Sequence, residues 1–205
     1  MGLRVEYTMR ELDPGIPTAL RESLEPYFGE ATEGKIGLFS VEPPTWVAIV
    51  ADLLTWKAAL GVPVTAFVTR LAQRAADAVW DRKQAIASAL KDRACDALLA
   101  VATAIREAQQ AGGDNFHVVL RISVPDGFYG TAISLRPENV EDAAWYLACF
   151  VQKADAIHAF VEANIPTARV LGPVGLTLLE DGSFRLGWTF VNTSTHEYSS
   201  HETVI

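Results

Sequence analysis

Only two cysteines, Cys95 and Cys149, occur in the 205 residues. Two thiols give no disulfide framework, and such a chain suits a reducing compartment. Long apolar runs are missing too. The most apolar stretch, Trp46 to Ala72, is broken by Asp52, Lys57 and Pro63, and its longest charge-free part, Ala58 to Thr69, has 12 residues. A membrane helix wants about 20. No apolar h-region follows Met1, so the start does not read as a secretory signal. Positive charge is the scarcer sign, 17 Lys and Arg against 25 Asp and Glu, a net of −8. The basic residues Arg70, Arg74, Arg82, Lys83, Lys91 and Arg93 are interleaved with Asp77, Asp81, Asp92 and Asp96. That is a solvated, ion-paired face, and nucleic-acid binding is disfavoured.

Familiar catalytic motifs are equally scarce. Gly29 to Lys35 spells G-x-x-x-x-G-K, but Ile36 stands where a P-loop needs Ser or Thr, and Glu30 and Glu33 would repel phosphate. The segment reads as a polar turn. His196 and His201 are five apart, with Glu197 between them. Zincin histidines are four apart and share a helix face, so no metal site is expected, and no cofactor motif is present. Thr203-Val204-Ile205 fits the short carboxyl-terminal pattern captured by peptide-binding modules, a pattern that chance readily supplies.

Glycine and proline are absent from Val64 to Ala111, and an apolar 3.6 period runs through Val64, Phe67, Val68, Leu71 and Ala75. The pattern predicts a helical block over about 44–111, opening with a helix from Trp46 to Leu60. Gly61-Val62-Pro63 should separate two helices, and a break is expected between Trp80 and Arg93. Gly112-Gly113 closes the block. The flanks alternate like strands, at Leu3 to Tyr7 and Ile36 to Val41. Phe116–Leu135 and Val170–Val191 read as two hairpins. Between them Asn139 caps a helix to Asn164, with Glu141 and Asp142 at its positive end.

The expectation is therefore a single α+β domain over 1–205. An antiparallel sheet of about six strands, two hairpins plus the N-terminal strands, carries a long central helical block and one amphipathic helix packed on it. Residues 192–205 are expected to be a loose polar tail.

His158 falls in the apolar stripe of helix 139–164 on a helical wheel, so it and His117 are the candidate acid/base residues. Trp145, Cys149 and Phe160 lie on the other side of that helix, and Trp46 and Trp56 lie in the apolar stretch. These five are the candidate interface residues, for a protein partner or a homodimer. The composition favours a soluble, acidic, cytoplasmic protein of bacterial type. It would bind other proteins without catalysis, as an inhibitor, an immunity-type protein or a complex component. A small-molecule enzyme using His158 or His117 is the alternative. A membrane-associated protein using 46–72 is the third reading, with membrane contact disfavoured.

Overall fold

The computed structural model describes residues 2–8, 12–36, 45–76, 82–114, 116–124, 127–165, 170, 172–192 and 197–205. Its elements run β1 (Leu3–Thr8), α1 (Gly15–Phe28), β2 (Ala31–Ile36), β3 (Trp46–Ala51), α2 (Leu53–Ala76), α3 (Arg82–Ala89), a 3-10 turn (Arg93–Cys95) and α4 (Asp96–Gly112). Then follow β4 (His117–Val124), β5 (Gly127–Leu135), α5 (Val140–Asn164), β6 (Val174–Leu178), β7 (Phe184–Asn192) and β8 (Glu197–Val204). The class is α+β, and the eight strands form one sheet in the order β2-β1-β3-β4-β5-β6-β7-β8.

The sheet is mixed, where an antiparallel one of six strands was expected. β4–β5 and β6–β7 pair antiparallel. β1–β2, β3–β4 and β5–β6 are parallel. The reason is connectivity: each parallel pair is joined through helices, which return the chain in the same direction. Three strands come from segments read otherwise: Ala31–Ile36, within the expected polar turn, is β2, and the strand expected over Ile36–Val41 lies beyond Ile36 outside the described residues. Trp46–Ala51 is β3, not the start of a helix. Its run of Val, Ile and Ala is buried on both faces, which erases the alternation that marks a strand. The expected loose tail is β8, held along β7 from Asn192↔Glu197 to Arg185↔Val204. Backbone pairing needs no apolar side chains, so a polar sequence hid it. The Thr203-Val204-Ile205 motif is part of this strand register.

α2 continues through Gly61-Val62-Pro63, where a break was expected. Among the described residues of the window Trp80 to Arg93, the helical run is interrupted at Leu90–Asp92. The Asp92 carboxylate accepts the Ala94 amide (3.0 Å) and Arg70 Nε (2.8 Å), fixing the new start. The G-x-x-x-x-G-K segment forms the helix end and β2, with Glu33 bound to Arg21 at 2.9 Å, so it makes no phosphate loop.

Alternation splits the sheet into two faces. Leu3, Val5, Val47, Ile49, Val118, Leu120, Ile133 and Leu135 join the buried faces of the helices in one apolar cluster. Residues of the other parity, Arg4, Ser134, Thr177, Arg185 and Glu202, are exposed. On this outer face Glu6, 4% exposed, is held between Arg4 and Arg121 (2.9 Å to Arg121 Nη1). A register shift near Ile122 and Val124 brings β5 very close to β4. There Gly130 has φ +61°, and a Cβ would stand 2.0 Å from the Ile122 carbonyl oxygen, so only glycine fits.

α5 starts where the sequence placed it, with Asn139 Oδ1 accepting the Asp142 amide at 2.8 Å. Asn139→Ala is expected to lower the unfolding free energy by about 1 kcal/mol. The reading is a lower denaturant midpoint at unchanged slope. An unchanged midpoint contradicts the capping role.

Candidate functional site

The chain turns from β5 into α5 at Arg136–Asn139, and a cleft of about 420 Å³ opens beside the turn. Trp145 and Tyr146 wall it from α5, Glu138 and Asp142 flank the cap, and Glu180 reaches it from the β6–β7 turn. That turn is a fixed roof. Leu179 and Ser183 bond through their backbones at 2.8 Å, and Asp181 accepts the Ser183 amide (2.9 Å) and hydroxyl (2.6 Å). Those two bonds hold the Asp181 carboxyl below its ordinary range. Gly182 has φ +85°, and a Cβ on it would stand 3.6 Å from the Trp145 ring. The roof therefore rests on the indole. Glu138, Asp142 and Glu180 line the cleft together with Arg136, whose guanidinium donates to the Asp114 carbonyl. Among the described residues no group of His, Cys, Asp or Glu is arranged to hold a metal ion. Spread carboxylates beside aromatic faces suit an organic cation, a lysine or arginine side chain above all.

A second feature lies on the outer face of the sheet. Gly175 and Gly187 sit opposite one another and floor a trough of about 350 Å³ with Ala132. Ser134, Thr177, Arg185 and Glu202 rim it. His117 Nδ1 stands 2.8 Å from the Ser134 hydroxyl at one end. Burial, and then the nearby Arg136 cation, push the His117 pKa below the ordinary 6.5. The ring is therefore neutral at pH 7 and can exchange a proton with the serine hydroxyl.

The sequence candidates are scattered over this frame. Trp145 lines the cleft, and His117 stands at the trough. Trp46 is half-buried on the outer face, opposite His117 in the β3–β4 register. Phe160 is half-buried with its ring 6.2 Å from Trp188. Cys149 is buried and lies under Gly182 beside Trp145, so it is packing and not surface. Trp56 is also a correction: it is fully buried, because its helix turns that face to the sheet. His158 lies outside both sites. The buried line of α5 runs through Ala143, Leu147, Phe150, Ala154, Ile157 and Val161 and passes beside it. His158 stays partly exposed, with Nε2 3.2 Å from Glu162 on the next turn. His196 lies outside the described residues, and His201 stacks on Trp188 with ring centroids 5.8 Å apart. Membrane insertion by 46–72 finds no support either, since no described helix is long and apolar enough to span a bilayer.

Ser134, Glu138, Asp142 and Glu180 were missed. Asp142 was read only as a partner of the helix dipole. Glu138 precedes the cap and lies outside the helix, so no helical spacing relates it to Asp142. Glu180 arrives from a turn far along the chain, and nothing local announces it.

An NMR titration of the histidine rings is expected to give His117 a midpoint below 6.5. Arg136→Ala should move that midpoint upward. A midpoint at or above 6.5 contradicts the half-buried, cation-flanked ring.

Compared with known proteins, the chain matches no family model, no curated protein and no solved structure.

Proposed function

We propose that the chain is a non-catalytic protein-binding or regulatory protein whose cleft at Trp145 receives a basic side chain of its partner. The observation that carries this reading is the pairing of aromatic walls with three carboxylates in one cleft under a fixed turn. A cation placed there meets π faces and carboxylates together, and a rigid site loses little entropy on binding. The net charge of −8 adds long-range attraction for a basic partner. An inhibitor, an immunity-type protein or a subunit of a complex would each use such a notch. Two buried free thiols, Cys95 and Cys149, support action in the cytoplasm.

A titration with a short arginine peptide tests the reading, with an equally long glutamate peptide as control. The Trp145 indole resonance is expected to shift with the arginine peptide only, and less at high salt. Glu138→Gln combined with Asp142→Asn should weaken the response about ten-fold or more. A shift spread over all five tryptophans, or one indifferent to the two substitutions, removes the cleft from the account.

A second reading has its own observation, the 2.8 Å contact between Ser134 and His117 at the trough. A neutral imidazole against a hydroxyl is the start of a nucleophile–base pair, and His117 would be the acid/base of a small-molecule enzyme. Covalent labelling of Ser134 by a fluorophosphonate, abolished by His117→Gln, would favour this reading. An unlabelled Ser134 leaves protein binding as the better one.

A further inference from the structure

β8 forms one edge of the sheet, and every residue of it but Thr203 is exposed. Its hydrogen bonding has two sides. Phe184 and Ile205 exchange both backbone bonds (2.9 and 2.8 Å), so the residues paired with β7 alternate from there: Thr203, His201, Ser199, Glu197. Tyr198, Ser200, Glu202 and Val204 consequently turn their N–H and C=O groups outward. An outward row of this length is a template for another strand. The usual guards against such pairing are thin here, since β8 contains no proline and no lysine.

The side chains say which strand fits. Tyr198 and Val204 are 68% and 56% exposed, and both project on the outer face. We propose that β8 pairs antiparallel with β8 of a second copy, about a two-fold axis through His201. In that register Tyr198 of one copy faces Val204 of the other, and Ser200 faces Glu202 of the other. Every outward amide and carbonyl from Tyr198 to Val204 is then used. The two exposed apolar side chains cover one another twice, once on each side of the axis. A slip by two residues in one direction sets Glu202 against Glu202 of the second copy, like charges face to face. The opposite slip sets Tyr198 against Glu202 and leaves Val204 outside the matched set. Only the central register satisfies the backbone, the apolar pair and the charges together.

The strand is anchored well enough to serve. His201 stacks on Trp188 and meets Phe190 edge-on with ring centroids 5.1 Å apart, so the edge is tied to β7 through rings as well as backbone. The assembly is isologous, the commonest route to a closed dimer. It joins two eight-stranded sheets into one continuous sheet and sets the two glycine-floored troughs on either side of the axis. It does not use the Trp145 cleft, so this inference stands or falls apart from the proposed function.

Sedimentation velocity from low to high micromolar concentration tests it. The wild-type chain is expected to shift reversibly from monomer to dimer. Ser200→Pro removes an outward N–H and the 3.3 Å contact of the Ser200 hydroxyl with Thr189, and leaves the backbone bonds to β7 intact, because proline is tolerated at an edge. It should raise the dimer dissociation constant about a hundred-fold, two interface hydrogen bonds being lost per dimer. His201→Cys supplies the register. Directly opposed residues at a non-hydrogen-bonded pair are close enough for a disulfide. Mild oxidation should therefore link the copies through position 201, while Thr203→Cys should stay unlinked. Should Ser200→Pro fail to fold, the cross-linking decides alone. A wild-type chain that stays monomeric overturns the proposal. So does a dimer indifferent to Ser200→Pro, or one that links at 203 and not at 201.

Discussion

Trp56 joins the layers of this protein. Its ring is fully buried, with Phe28 of α1 at 5.2 Å and Phe150 of α5 at 5.4 Å between ring centroids, both edge-on. Its indole N–H donates to the Arg121 carbonyl on β4 at 2.9 Å. One side chain thus ties three helices to the middle of the sheet. The T-shaped contacts set ring positive edge against ring negative face, and the hydrogen bond satisfies the one polar atom the ring carries inward. Burial of so large a ring would be costly without that acceptor. Arg121 continues the chain of contact, since its guanidinium grips Glu6 on the far face of the sheet. The helical layer, the sheet and the outer face are therefore connected through two residues.

Alternation along each strand does the rest. Once Val5, Ile49 and Leu120 face the helices, Glu6, Val50 and Arg121 must face away. The middle of the outer face holds Ala48, Val50 and Ala132, buried yet outside the main apolar cluster. Small side chains there, and the opposed Gly175 and Gly187, leave the trough. The same parity governs β8, where it sends Tyr198 and Val204 outward. Parity is therefore what lets a backbone edge and an apolar pair coincide on one strand.

The sequence disclosed periodic elements well and non-periodic ones poorly. α5, with its asparagine cap and apolar line, was legible to within a residue or two. The two hairpins were legible too, because β-branched runs bracket short turns, although β6 begins at Val174 and not at Val170. β3 was not, since a central strand buried on both faces loses its period of two and looks like a helix of alanine and valine. β8 was not, since its stability comes from the backbone of β7 and from His201 on Trp188. The candidate site was legible only in its anchors. Trp145 stood out as an aromatic on the wrong side of an amphipathic helix, and His117 as one of few histidines. Their neighbours Glu180 and Ser134 come from other strands and turns, and no local spacing encodes a meeting across 17 or more residues.

Charge pairing explains why the acidity that matters sits where it does. In the first part of the chain four carboxylates are ion-paired: Glu6 with Arg4 and Arg121, and Glu22, Glu25 and Glu33 around the single guanidinium of Arg21. Asp92 is taken by Arg70, and Asp155 by Lys57. The exposed ones among these pairs add little stability, but they cancel charge locally. Glu138, Asp142 and Glu180 belong to the segment after Gly112, where acidic residues outnumber basic ones most strongly. Their shared cleft offers one arginine for three carboxylates. The cleft beside Trp145 thus lies in the part of the chain with the largest acidic surplus. On the proposed reading, this surplus would draw a cationic partner toward the cleft.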